Sequence, residues 1–377
     1  MNILLFDMDG VLVDPRAYHS ALQETVRLIA QALGFADFAL TAEDIAEFEA
    51  ARVTSEWDSS AICAALLLER LWQVDPSAAL PTAPPLPRIP PHGLPAPDVS
   101  AFCAQLRAAA EPHAPARLRA ERVQLDGKRA RPAGHVAALT GILRNATDPY
   151  RSLTHRLFQE LVLGSDAFSE TYGLEAQLGS ASYLATRDLP LLQGSARERL
   201  RAWLQHPRRH AVIVTNRPSR SPDGARGAPE AEMGAELCGL GDAPMVALGA
   251  LSWLAAQRGV GAEQFIKPSP VHTLAALRCA MGDAPARALE ASAELAADQR
   301  DDGGWQRLHG ATVQVFEDSV KGFKSARRAQ QMLAGIKVEI DVRLFGISEP
   351  AVKQRALQRD GAHVFRHISE ALASVLA

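Results

Sequence analysis

The chain opens on a short apolar run, Asn2 to Phe6, that breaks into Asp7-Met8-Asp9-Gly10. A run this short and without alternation predicts a strand over 2–7 covered on both faces. The period then changes. Leu22, Val26, Ile29 and Leu33 recur at helical spacing, which predicts a helix from Tyr18 to about Phe35, stopped by Gly34. Further helices are predicted near 42–51 and 59–73, over about 150–163 on Leu153, Leu157 and Leu161, and over 196–204. Eight prolines fall between Pro81 and Pro97, which excludes helix interior and central strand and predicts an extended surface loop. Residues 110–135, rich in Pro, Arg and Gly, also read as loop.

From residue 210 the pattern changes again. His210 to Thr215 predicts a second strand, Gln264 to Lys267 a short third, and Thr312 to Glu317 a fourth; Lys337 to Phe345 and His363 to Phe365 predict two more. Helices over 246–257, 271–281 and 323–333 separate them. Such alternation means a parallel sheet with right-handed crossovers. The fold class expected is therefore α/β: a Rossmann-like parallel-sheet core from residues 1–14 and 193–377. A large, mainly helical insert over 15–192, carrying the Pro-rich loop 81–97, follows the first strand.

Composition narrows the partners. A net charge of -3 gives no electrostatic reason to expect nucleic acid or an anionic membrane. The first apolar run is too short, and too close to acids, for a signal peptide, and no stretch approaches the length of a membrane span. Cys63, Cys103, Cys238 and Cys279 are too far apart for a CxxC pair and suggest no disulfide framework. The expectation is a cytoplasmic protein acting on a small molecule.

Ligands of parallel sheets bind beyond the carboxyl ends of the strands. Four of the predicted strands end in residues suited to phosphate chemistry: Asp7-x-Asp9-Gly10, Thr215-Asn216, Lys267-Pro268 and Glu317-Asp318-Ser319. Each is weak alone. Asp318-Ser319 also fits a cap for a helix starting near 320, Lys267 a surface lysine and Thr215 a β-former. Their joint occurrence, in this order and each after an apolar run, favours the chemical reading. Only six lysines stand among 40 basic residues, which makes the position of Lys267 more telling.

The segments Asp7-Met-Asp-Gly-Val-Leu12, Val212-Ile-Val-Thr-Asn216, Lys267-Pro-Ser-Pro270 and Phe316-Glu-Asp-Ser-Val-Lys-Gly322 resemble the four signature motifs of the haloacid-dehalogenase-like superfamily. Within it they are most similar to the phosphoglycolate phosphatase and β-phosphoglucomutase group. The resemblance covers residues 1–15 and 193–377. It implies an aspartate nucleophile at Asp7, an acid/base aspartate at Asp9 and a cap inserted after the first strand.

Physical chemistry assigns matching roles. Side chains two apart on a strand share a face about 6–7 Å apart, so a phosphorus atom fits between Asp7 and Asp9. A carboxylate attacking a phosphate dianion needs cations to offset the repulsion. Asp7, the backbone carbonyl of Asp9, Asp318 and, directly or through a neighbour, Glu317 suit Mg²⁺. Lys267 would neutralise a phosphate oxygen and orient Asp7, and Thr215 and Asn216 would bind another oxygen. Asp9 would protonate the leaving alkoxide and then activate water. Gly10 permits a tight turn that brings backbone N–H groups to the phosphate.

Other features read more plainly. Arg217 and its Pro-Ser-Arg neighbours read as a solvated loop, with Arg217 close enough to bear on a substrate. Arg16, Tyr18 and His19 either reach a substrate or pack the joint of the insert. Glu56-Trp57-Asp58 reads as a surface turn between helices with a packed Trp, in preference to a substrate contact. The functions in view are a phosphatase of a small phosphorylated metabolite whose helical cap excludes water, a phosphomutase using the same aspartates, and a non-catalytic metabolite sensor on the same fold.

Overall fold

The computed structural model describes every residue except 82–84, 88, 110–113, 126–130, 225–226 and 377. The chain divides into two compact units, Met1–Pro15 with Asp188–Ala377, and Arg16–Arg187.

Among the described residues the first unit holds eight strands: β1 (Asn2–Phe6), β2 (Val13–Asp14), β3 (Leu189–Pro190), β4 (Arg209–Val214), β5 (Met245–Val246), β6 (Ala311–Glu317), β7 (Ile340–Ile347) and β8 (His363–Phe365). Six form one sheet in the order β5-β4-β1-β6-β7-β8, and every pairing in it is parallel. β2 and β3 make a separate antiparallel pair. With helices between successive strands, this is the Rossmann-like α/β architecture expected from the alternation.

The two-residue period of β1 sorts its side chains to two cores. Ile3 and Leu5 join one cluster with Val212, Val214, Val313 and Val315, beside the helix Pro270–Ala280. Leu4 and Phe6 join the other with Ile213 and Phe316. On that second face Phe6, Phe316 and Phe345 stack across neighbouring strands, with ring centroids 4.9 and 5.0 Å apart. Each stack adds about 1 kcal/mol beyond area burial. Phe6 and Phe316 immediately precede Asp7 and Glu317, so the stack fixes the strand ends that carry those acids.

The structure corrects several expectations. Gln264 to Lys267 is not a strand. A 3₁₀ turn covers Ala262–Gln264, and the N–H groups of Phe265 and Ile266 both go to the carbonyl of Ala262, which leaves no ladder to form. The sheet edge is instead β5, whose second residue, Val246, falls in the helix expected over 246–257; that helix runs from Leu248 to Arg258. The strand expected from Lys337 begins at Ile340, because Lys337 turns with φ +62° and donates to Ala334 O.

The second unit is helical, and two corrections fall here. The stretch expected to be loop over 110–135 contains the helix Ala116–Leu125, and a further helix covers Ala133–Arg144; residues 110–113 and 126–130 lie outside the described residues. The first of these helices buries Arg119, Glu121 and Gln124, so polar side chains face inward and the apolar period is erased. Glu56-Trp57-Asp58 is the first turn of the helix Glu56–Leu71, capped by Ser55, and Asp58 is buried against Arg117 at 3.5 Å. No regular element falls among the described residues of 81–97. Among the described residues no helix is long and apolar enough to cross a membrane, and all four cysteines are free and buried.

Candidate active site

β1 and β6 lie side by side with Phe6 opposite Phe316, and the Asp7 N–H donates to Phe316 O at 2.9 Å. The alternation along both strands points Asp7 and Glu317 to the face covered by the helix Pro270–Ala280. Lys267 lies three residues before that helix and reaches both acids. Its Nζ is 2.9 Å from Asp7 Oδ1 and pairs with Glu317. Asp318 follows on, and one oxygen each from Asp7, Glu317 and Asp318 fit within 4.8 Å of one another. The structure thus brings four of the residues singled out in the sequence into one cluster.

Two glycines make room for it. Gly10 turns with φ +75°, and a Cβ there would stand 2.7 Å from Asp318 Oδ2. A side chain at Gly322 would collide with Glu317 Oε1. The Gly10 N–H is taken by Val13 O at 2.8 Å, so what Gly10 supplies is the turn and the clearance, not a donor aimed outward.

The cluster is buried and crowded with negative charge. Lys267 is 6% exposed and Glu317 2%. Burial works against the Lys267 cation, but Asp7 and then Glu317 outweigh it and hold the ammonium above its usual pKa. Glu317 is pushed up to about 8, first by burial and then by the charge of Asp7, against the pull of Lys267. Lys267 is therefore a fixed cation, and Glu317 is the carboxyl that bears the crowding. His272 is fully buried, and its Nε2–H donates to Val246 O at 2.9 Å; burial, then Lys267, holds its pKa down to about 3, so it is neutral.

Thr215 sits past the end of β4 and is 1% exposed. Its Oγ1 accepts from the Arg217 N–H at 3.1 Å, which leaves its O–H available to donate. Asn216 beside it is exposed. Asp9 does not join the three-carboxylate cluster. Its Oδ1 accepts from Arg217 Nε at 2.8 Å and Nη2 at 2.6 Å, and Nη2 also donates to Asp188 Oδ2 at 2.9 Å.

This last arrangement corrects the sequence reading of a solvated loop after Asn216. Arg217 and Ser219 are each 3% exposed. Sequence gave no signal for the burial of Arg217, since its partner Asp9 lies 208 positions away. It gave none for Asp188 at all. Lys353 was also missed: it reaches from the helix Ala351–Arg359 to pair with Asp318.

No family model and no curated protein matches the chain. Among solved structures, the X-ray structure of Northeast Structural Genomics Consortium target ZR25 superimposes with a TM-score of 0.56 at 15% identity, covering 100% of this chain and 98% of that one. It shows a shared fold. Phosphatase Tt82 from Thermococcus thioreducens is a looser likeness, with a TM-score of 0.47 and 14% identity over 99% of this chain and 98% of that one.

Proposed function

We propose that the chain is a Mg²⁺-dependent phosphatase of the haloacid-dehalogenase-like superfamily that hydrolyses a small phosphate monoester through an aspartyl phosphate on Asp7. The observation that carries this reading is the cluster itself: a carboxylate at the end of the central strand, a buried lysine 2.9 Å away and two more carboxylates within metal-binding reach.

The donor set fits the ion. Three carboxylates with oxygens within 4.8 Å offer the hard ligands Mg²⁺ takes. Asp7, Glu317, Asp318 and the carbonyl of Asp9 would hold it. Bound there, Mg²⁺ would neutralise charge on the phosphate oxygens.

The chain's own residues do the rest. Asp7 Oδ1 pairs with the Lys267 ammonium and accepts from the Met8 N–H at 2.8 Å, so Oδ2 is the oxygen left to attack phosphorus. Lys267 offsets repulsion between the two anions, and the Thr215 O–H donates to a phosphate oxygen. As the P–O ester bond breaks, Asp9 gives its proton to the leaving oxygen. Asp9 then takes a proton from water, which attacks phosphorus and restores Asp7.

The test is phosphate release from a panel of phosphorylated metabolites. The expected result is release from at least one small monoester, abolished by EDTA and restored by Mg²⁺. Release that survives chelation, or none from any member, contradicts the reading.

A further inference from the structure

We infer that Arg217, anchored by Asp188, is the positioning residue for the acid/base carboxylate Asp9, and fixes which of its oxygens exchanges the proton. The inference rests on the phosphatase reading above and adds a part to it.

The geometry is specific. Arg217 Nε and Nη2 converge on one oxygen of Asp9, Oδ1, at 2.8 and 2.6 Å. Oδ2 takes no hydrogen bond among the described residues. Two donors on Oδ1 stop the carboxyl from exchanging its oxygens by rotation, so Oδ2 is the one presented for proton transfer. The second proton of Nη2 goes to Asp188 Oδ2 at 2.9 Å. Asp188 thereby sets the plane of the guanidinium, as a third group orients the base in a nucleophile–base pair.

The backbone of Arg217 is held as well. Its N–H donates to Thr215 Oγ1, and its carbonyl accepts from the Leu248 N–H at 3.0 Å. Gly234 clears the space: a Cβ there would stand 2.5 Å from Met8 Sδ and 3.2 Å from Arg217 Nη1. The phosphate-binding threonine and the acid/base aspartate are thus joined through a single residue.

Exposure separates this from an ordinary buried ion pair. The side chains of Arg217 and Asp188 are each 1% exposed, whereas that of Asp9 is 38% exposed. An enclosed ion pair repays its desolvation only when the remaining lone pairs and protons of both partners are hydrogen-bonded. Here the arginine and its anchor are enclosed, and the outer carboxylate is left with one open oxygen. Lysine cannot replace the fork, because one ammonium offers no pair of coplanar donors.

The test uses Arg217→Lys on two esters, one with a nitrophenolate leaving group that needs no proton and one with an alkoxide that does. The variant is checked for folding by circular dichroism. For the alkyl ester kcat is expected to fall about 10- to 100-fold, with KM nearly unchanged. For the nitrophenyl ester the fall is expected to stay within about threefold. The double variant Asp9→Asn/Arg217→Lys should be no slower than Asp9→Asn alone, because Arg217 acts through Asp9. Asp188→Asn is the second variant, for use if Arg217→Lys does not fold. It should show the same one-sided loss, about threefold to tenfold. Equal losses on both esters, or additive losses in the double variant, overturn the inference while wild-type turnover leaves the phosphatase reading standing. The alkyl ester is the panel member that the wild type turns over, and if it turns over none, both readings fall together.

Discussion

In the helical unit Arg119 is 3% exposed and donates to the carbonyls of Ala51 and Leu106 at 2.8 and 3.3 Å. Glu160, fully buried in the same unit, accepts from Ser165 Oγ and from the N–H groups of Gln177 and Leu178. In the core unit Lys267 is as deeply buried, but it faces Asp7 and Glu317, and Arg217 faces Asp9 and Asp188. The first pair of charges meets backbone dipoles and ties loops to helices. The second meets other charges at the carboxyl ends of strands. Burial alone does not mark a functional group; what the group faces does, and charges that face one another at strand ends can respond to a ligand.

The sharpest way to break this contrast is to neutralise one charge of each kind. Asp7→Asn should leave the fold intact and lower kcat by about 10⁴-fold or more, the scale of losing a nucleophile. Lys267→Met should lower it about 10²- to 10³-fold, with some loss of stability because Glu317 is left without its cation. Steady-state kinetics beside thermal melting separates the two effects. If either variant keeps wild-type kcat, the core charges are structural like those of the helical unit.

Glu160→Gln is the converse test. It should lower stability in urea by about 3 kcal/mol, since the carboxylate satisfies three donors. It should leave kcat within about twofold of wild type. A large fall in kcat with unchanged stability would reverse the contrast.

The smallest effect is a pH dependence within the helical unit. Burial, partly opposed by its hydrogen bond to Ala146 O, lowers the His155 pKa to about 4. The folded value lies below the unfolded one, so unfolding takes up a proton. Its contribution is complete above about pH 6.5 and is lost as pH falls from there toward about 4. Between pH 7 and pH 5 the wild type should lose about 2 kcal/mol more than His155→Gln, measured as urea unfolding free energy. Parallel losses in the two proteins would place the acid sensitivity elsewhere, His272 being the nearest equivalent in the core unit.

The parallel sheet was legible because strands such as β1, β4 and β6 are continuous apolar runs, which is what burial on both faces demands. β5 was not, because two residues carry no period. Gln264 to Lys267 misled because Phe265 and Ile266 are apolar for packing, whereas local turns decide their backbone. The convergence of Asp7, Lys267, Glu317 and Asp318 could be anticipated since each acid closes an apolar run and the lysine precedes a helix start. The clamp on Asp9 could not. Arg217 looks like any other arginine in an arginine-rich chain, and only the folded chain brings it to partners 208 and 29 positions away.

The proposed chemistry turns on which atom receives the phosphoryl group. The protein is incubated with Mg²⁺ and a turned-over monoester, quenched in acid and reduced with borohydride, which converts an aspartyl phosphate to homoserine; the peptide spanning residues 2–16 is then read by mass spectrometry. Homoserine is expected at position 7, dependent on the ester and absent in Asp7→Asn. Homoserine at position 9 instead, or phosphate release with no modified aspartate at any quench time, would contradict it.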